Sequence, residues 1–385
     1  MTKLCSLLLL LIFFVPGFCY AAPTISDISG TISNGESIVV SGASFETGPT
    51  IHKWDNFESG SNGDPIGNGW SYHTVDEGFS APYYSDDTPR ANRSLSIRCP
   101  FIYPKASCQF YKTAETSDKA SIYTTFYIRI HKVSGATTTN YKYCYITPSA
   151  TSFAGSMPRF VYHGNAGGYY ITSQADNGGE SFDCSTTAPE DNKWLRVELY
   201  GKESSGGATR DGEVYLYKQD NSTLLMESTG GCTSGGGGHD NTACQTRDAD
   251  HWVNAHYGLY CGDRTGAQNG DTYYYDYSDV YLANNWARVE IGNNPTFANC
   301  THREIQIPTA WAAGEITFTM NAGTFVADEI TYLFVVDADG IASEGEEIII
   351  GGEGATGGGH TISDIGSGAM TFDNVGSGAI TITVQ

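Results

Sequence analysis

The stretch Pro23–Gly48 reads PTISDISGTISNGESIVVSGASFETG. Ile25, Ile28, Ile32, Ile38 and Val40 supply its apolar positions, and Asn34-Gly35 supplies a turn between two short strands. Two strands cannot bury a core alone. The residues that follow do not complete one. Strands of fitting pattern return only after Trp286, as ARVEIG, REIQIP, EITFTM and TYLFVV. There Val289 and Ile291, Ile305 and Ile307, Ile316 and Phe318, and Leu333 and Val335 each repeat at a spacing of two. This predicts a small sandwich whose chain is opened by a long insertion, with 23–48 pairing near Ile305–Ile307 or Thr331–Val336.

The ends of the chain are of another kind. Met-Thr-Lys precedes an apolar run from Leu7 to Val15 and a small-residue site at Ala21-Ala22, the pattern of a secretory leader cut after Ala21. The run is too short to span a bilayer. Export to an extracellular or cell-surface location is expected, without membrane insertion. Of 10 cysteines, Cys5 and Cys19 lie in the leader, which leaves an even set: Cys99, Cys108, Cys144, Cys184, Cys232, Cys244, Cys261 and Cys300. In an exported chain such a set argues for disulfides. Cys99 with Cys108 and Cys232 with Cys244 would close short loops; the remaining pairings stay open. The formal net charge of −22 repels nucleic acid and anionic membranes. With Gly 46 and Tyr 25, and no amphipathic helical period, the class is all-β.

Between about Ile51 and Asn285 the chain alternates strand-like runs with Gly, Asn, Asp and Ser clusters. In Ser121–His131, Ile122, Thr124, Phe126, Ile128 and Ile130 face one way, and Tyr123, Thr125, Tyr127, Arg129 and His131 the other. In Trp194–Tyr200, Leu195, Val197 and Leu199 form the apolar face, opposite Trp194, Arg196, Glu198 and Tyr200. Asp211-Gly212 then turns into EVYLYK, and Asp271–Leu282 ends the block.

Two family resemblances rest on these residues. Pro23, Ile25, Ile28, Gly35, Ile38, Val40, Gly42 and Phe45, continued by Val289-Glu290-Ile291-Gly292, Ile305, Ile307, Pro308 and Asp337-Ala338-Asp339-Gly340, resemble the IPT/TIG family of immunoglobulin-like domains. Trp194, Glu198, Asp211-Gly212 and Tyr277–Leu282 resemble concanavalin A-like lectin/glucanase jelly rolls. That second resemblance implies a block whose first and last strands pair, the geometry an insertion requires. The domain organisation expected is a leader at 1–21, a split immunoglobulin-like domain at 22–50 and 286–352, a jelly roll at 51–285, and a Gly-rich linker with a β-hairpin tail at 353–385. In the tail, GSGAMTF (366–372) recurs as GSGAITI (376–382). The repeat fits either a docked hairpin or a strand that adds to another subunit, so that the chain self-associates.

The jelly-roll resemblance implies a glycan-binding concave face. Tyr127, Arg129, His131, Arg196, Glu198 and Tyr200, with His163 of RFVYHGN and either His256 or Tyr260, are the expected ligand-binding residues: aromatic rings stack on sugars, and Arg, Glu and His bond hydroxyls or carboxylates. The competing reading is a solvated sheet face with paired charges. The E-x-D-x-x-E strand of glycosidases with this fold is absent. Arg196-Val197-Glu198-Leu199 resembles one strand of alginate-lyase families whose other motifs are missing. The expected function is therefore non-catalytic binding of a polysaccharide or adhesion. A polysaccharide lyase or glycoside hydrolase, and a structural subunit of an extracellular assembly, are the alternatives. No cofactor is expected, save that Asp337-Ala338-Asp339-Gly340 either holds a structural calcium ion or closes a plain turn.

Overall fold

The computed structural model of the chain describes residues 21–72, 79–102, 107–113, 121–132, 140–147, 159–165, 168–174, 180–182, 192–202, 213–219, 224–227, 232–234, 237–239, 254–262 and 272–352. Among these the protein is all-β: antiparallel sheets, one 3-10 turn at Phe297–Asn299, and no α-helix.

Period-two alternation puts one row of each long strand into a shared core. Ser121–Lys132 lies at the centre of an eight-stranded sheet, here sheet I, between Trp194–Lys202 and Thr272–Ala283. Ile51–Asp55, the first strand of the central block, pairs with Thr272–Ala283, its last. A nine-stranded sheet, sheet II, runs through Asn140–Thr147 and Asn254–Gly262. The two sheets pack face to face. Ile97, Phe101, Phe126, Ile128, Val197, Leu199 and Leu282 from sheet I meet Phe110, Tyr143, Ile146, Ala255 and Tyr257 from sheet II. The Tyr277 hydroxyl spans the layer: it donates to the Tyr143 carbonyl at 2.8 Å and accepts the Gly258 N–H at 3.0 Å.

A second, smaller sandwich has two four-stranded sheets. Sheet III runs Thr24–Ser29, Ser37–Ala43, Glu315–Thr319, Ile307–Ala312; sheet IV runs Arg303–Ile305, Arg288–Gly292, Ile330–Val336, Glu346–Ile349. Ile28, Ile38, Val40, Phe45, Ile316 and Phe318 pack on Val289, Ile291, Leu333 and Val335 in one core. The two ends of the described chain therefore share a sheet and a core across the whole central block.

The partner of Ser37–Ala43 is Glu315–Thr319, with Ile38 opposite Phe318 and Val40 opposite Ile316. It is neither Ile305–Ile307 nor Thr331–Val336, the partners expected from the sequence. The reason is a change of sheet at Gln306. Its buried amide donates to the carbonyls of Glu304 and Asn321. This leaves Arg303–Ile305 in sheet IV while Ile307–Ala312 turns back in sheet III. Ile330–Val336 lies in sheet IV, across the core.

The Asp337–Gly340 segment is a turn closed by the side chain and the carbonyl of Asp337, which accepts the Gly340 N–H at 3.1 Å. Asp337 Oδ1 accepts the N–H groups of Asp339 (3.0 Å) and Ile341 (2.8 Å), and Gly340 holds φ +84. Among the described residues no group of three or more His, Cys, Asp or Glu side chains is placed to hold a metal. No helix among them is long and apolar enough to cross a membrane.

Candidate functional site

Sheet I has a polar outer face, as alternation requires, and the small sandwich lies on it. Arg288, Glu290 and Arg303 project from sheet IV into a buried ion-pair layer with Arg196 and Glu198 of sheet I. Arg196 reaches Glu290 at 2.9 Å, and Arg303 reaches Glu198 at 2.5 Å and Glu290 at 3.0 Å. Arg288 bonds Glu290. Tyr123 donates to Glu198 at 2.9 Å, and Tyr127 donates to the Arg303 carbonyl at 3.0 Å. Tyr200 stacks on Trp286 with centroids 4.4 Å apart. A second knot lies beside this one. Asp279 holds φ +51, and the register slips between Thr125 and Tyr127, so an extra residue turns outward there. Asp279 meets Arg90 at 2.7 Å and Arg93 at 2.5 Å, and Arg90 also bonds Glu304.

The electrostatics follow from burial. Desolvation by itself would raise the carboxyl pKa of Glu290, but Arg196, Arg303 and Arg288 outweigh it and hold the group well below the usual range. Glu304 is held low in the same way, by Arg90 and His302 against burial. Glu198 is also lowered, by Arg196 and Arg303 against burial.

This geometry corrects the site expected from the sequence. Tyr127, Arg196, Glu198 and Tyr200 are brought together, but under the second sandwich rather than toward a ligand. Arg129 lies further along the same face, also buried; its guanidinium is held by Asp276 at 2.5 Å and 3.0 Å and by the Asn192 side chain. His131, half-buried, stands parallel to Tyr274 with centroids 6.2 Å apart. His163 falls in the strand Arg159–Asn165 opposite Lys142, and its side chain lies outside the described residues. The side chains of Cys184, Cys232, Cys244 and Cys261, and the whole tail from 353, also lie outside them. Cys99, Cys108, Cys144 and Cys300 are buried, and no disulfide is drawn among these four described side chains.

The outer face of sheet II offers a different constellation. Ala255 and Tyr257 point into the core, so Asn254 and His256 point to the opposite face, where both are fully buried. Register sets Tyr111 and Tyr145 on either side of His256. The Tyr111 and His256 rings lie 4.9 Å apart. Gln109, between the core residues Cys108 and Phe110, stands on the same face two residues from Tyr111. Lys142 stands at a bulge where Gly258, at φ +91, takes up the additional residue. Asn254 is fully buried, yet neither polar atom of its amide has a hydrogen-bond partner among the described residues, and Gln109 Oε1 has none there either. A buried amide left so is unfavourable by about 1–3 kcal/mol. The described residues of this face carry one cation, Lys142, and no carboxylate, in a chain of net charge −22. Chemically the face combines rings that stack on a sugar, amides that bond hydroxyl or carboxyl oxygens, and one lysine ammonium that attracts an acid. Of these residues, sequence reading named only His256, and only as an accessory; Tyr111, Tyr145 and Asn254 are far apart in the chain and carry no motif.

No protein-family model matches the chain, and no curated protein matches it. Solved structures similar to it include a PL-14 alginate lyase from Aplysia kurodai, at 12% identity and TM-score 0.38, covering 52% of this chain and 86% of that one. The alginate lyase Aly36B aligns at 14% identity and TM-score 0.39, covering 61% and 97%. The cellulose induced protein Cip1 aligns at 15% identity and TM-score 0.38, covering 60% and 97%.

Proposed function

We propose that the protein is an exported, non-catalytic polysaccharide-binding or adhesion protein that holds its glycan on the outer face of sheet II. The larger sandwich, 51–285, is the binding domain. The smaller one, 22–50 with 286–352, is an immunoglobulin-like platform clamped to its other side. The observation that carries the reading is Asn254: a fully buried amide with neither polar atom paired among the described residues, on a face shared with His256, Tyr111 and Tyr145. A sugar hydroxyl or carboxylate satisfies such an amide. Lys142 without a described carboxylate beside it favours an acidic glycan.

The test is binding of the mature protein to a panel of acidic and neutral polysaccharides, with Asn254→Ala and His256→Ala beside the wild type. The expected result is retention on an acidic polysaccharide, weakened at least about tenfold in each variant, as loss of one hydrogen bond to a charged group predicts. Wild-type levels of binding in both folded variants would overturn the site.

A second reading has one observation in its favour. Tyr145, His256 and Asn254 stand together as a β-elimination needs: an amide to neutralise a carboxylate and a Tyr or His to take the proton. Ultraviolet-absorbing unsaturated ends released from a polyuronate would convert the binding protein into a lyase.

A further inference from the structure

The core holds a pair of cysteines that the binding site does not use. Cys99 belongs to Ser96–Ile102 of sheet I, and Cys108 to Ser107–Cys108 of sheet II. Both are fully buried in the layer between the sheets. Burial raises the Cys99 thiol pKa and the neighbouring Cys108 thiol raises it further, which makes the two side chains neighbours in that layer. The strand Asn254–Gly262 passes against both. A Cβ on Gly258 would lie 2.5 Å from Cys99 Sγ and 2.8 Å from the Cys108 carbonyl oxygen, so only glycine fits there. Cys144 shares the core, but burial alone raises its thiol pKa, with neither cysteine of the pair acting on it. Cys300 sits apart, its thiol donating to the Asn294 carbonyl at 3.3 Å.

We propose that Cys99 and Cys108 are joined by a disulfide that staples sheet I to sheet II. The bond forms by exchange with a disulfide-class oxidant of the exported compartment, such as oxidised glutathione. The two thiols give up their protons and two electrons, the Cys99–Cys108 bond forms, and the oxidant's S–S bond breaks to two thiols. Because both sulfurs are buried, the exchange takes place before the sheets close, and the folded protein resists reductant. The staple has a local purpose. Ser107–Cys108 is fixed by few backbone pairings: Ser107 opposite Tyr260 and Phe79, and Cys108 opposite Ser80. Gln109 and Tyr111 follow directly, so a crosslink at Cys108 sets the position from which they enter the binding face. That last consequence rests on the proposed function; the crosslink itself rests on the core geometry alone.

The experiment uses the mature chain refolded with oxidised and reduced glutathione. The protein is denatured with iodoacetamide and no reductant, digested, and mapped by mass. The expected product is one crosslinked species containing Cys99 and Cys108, two hydrogen masses below the sum of its thiol peptides. Its melting temperature falls by about 5–10 °C once it is denatured, reduced and refolded with reductant. A Cys99→Ala/Cys108→Val variant is expected to melt near the reduced wild type and to lose the crosslinked species. Alkylation of both cysteines in the oxidised protein, or either of them crosslinked to a different cysteine, overturns the proposal whatever the glycan assays show.

Discussion

Glu198→Ala separates a ligand residue from a residue of the buried junction. Glu198 is almost wholly buried and accepts from the Tyr123 hydroxyl at 2.9 Å and from Arg303 at 2.5 Å. Arg196 lies at 3.4 Å and Arg288 at 3.5 Å. Removing it leaves three buried guanidinium groups facing Glu290 alone. An uncompensated buried charge of this kind destabilises by about 3–5 kcal/mol. With an m-value of roughly 2–3 kcal/mol per molar urea, the midpoint drops by about 1–2 M. Glu198→Gln keeps an acceptor for Tyr123 and loses only the charge, so its midpoint should fall between the two. The assay is urea unfolding followed by tyrosine and tryptophan fluorescence, since Trp286 and Tyr200 report on the junction directly. Polysaccharide binding by the folded variant, measured without urea, should match wild type. Glycan binding lost at an unchanged urea midpoint would refute the reasoning and return Glu198 to the ligand site.

Acid should weaken the same junction. Glu198, Glu290 and Glu304 are all held below the usual glutamate range, so their stabilisation is present above the unfolded value, about 4.3, and is lost as pH falls toward the folded values. A melting series is expected to fall below about pH 4; a flat profile there would show that the ion pairs are not linked to folding. Gly340→Ala forces a side chain into φ +84 and sets its Cβ 2.6 Å from the Trp286 ring, so a loss of about 1–3 kcal/mol is expected by thermal or urea unfolding. A melting temperature equal to wild type would mean that the Trp286 contact yields easily. Truncation after Gly352 is expected to abolish self-association if the repeated GSGA segments donate strands. An unchanged mass in solution by light scattering would assign them another role.

Much of the architecture was legible because burial writes itself as period-two alternation. Val289 and Ile291 point inward between Arg288 and Glu290, and Ile122, Phe126 and Ile128 between Tyr123, Tyr127 and Arg129. That the strands after Trp286 resume the pattern of Pro23–Gly48 was equally readable. Which of them pair was not, because the change of sheet at Gln306 depends on a side chain bonding carbonyls from two separate segments.

Alternation along the strands already dictates that sheet I has one apolar and one polar face. It could not say what covers the polar face, because Tyr, Arg and Glu on alternate positions are written the same way for a sugar, for solvent or for a second sandwich. Tertiary structure decided that, by bringing Glu290 and Arg303 against Arg196 and Glu198. It also decided where a ligand site could form. Tyr111, Tyr145 and His256 become neighbours only through strand register, and register is a property of paired backbones rather than of any one segment.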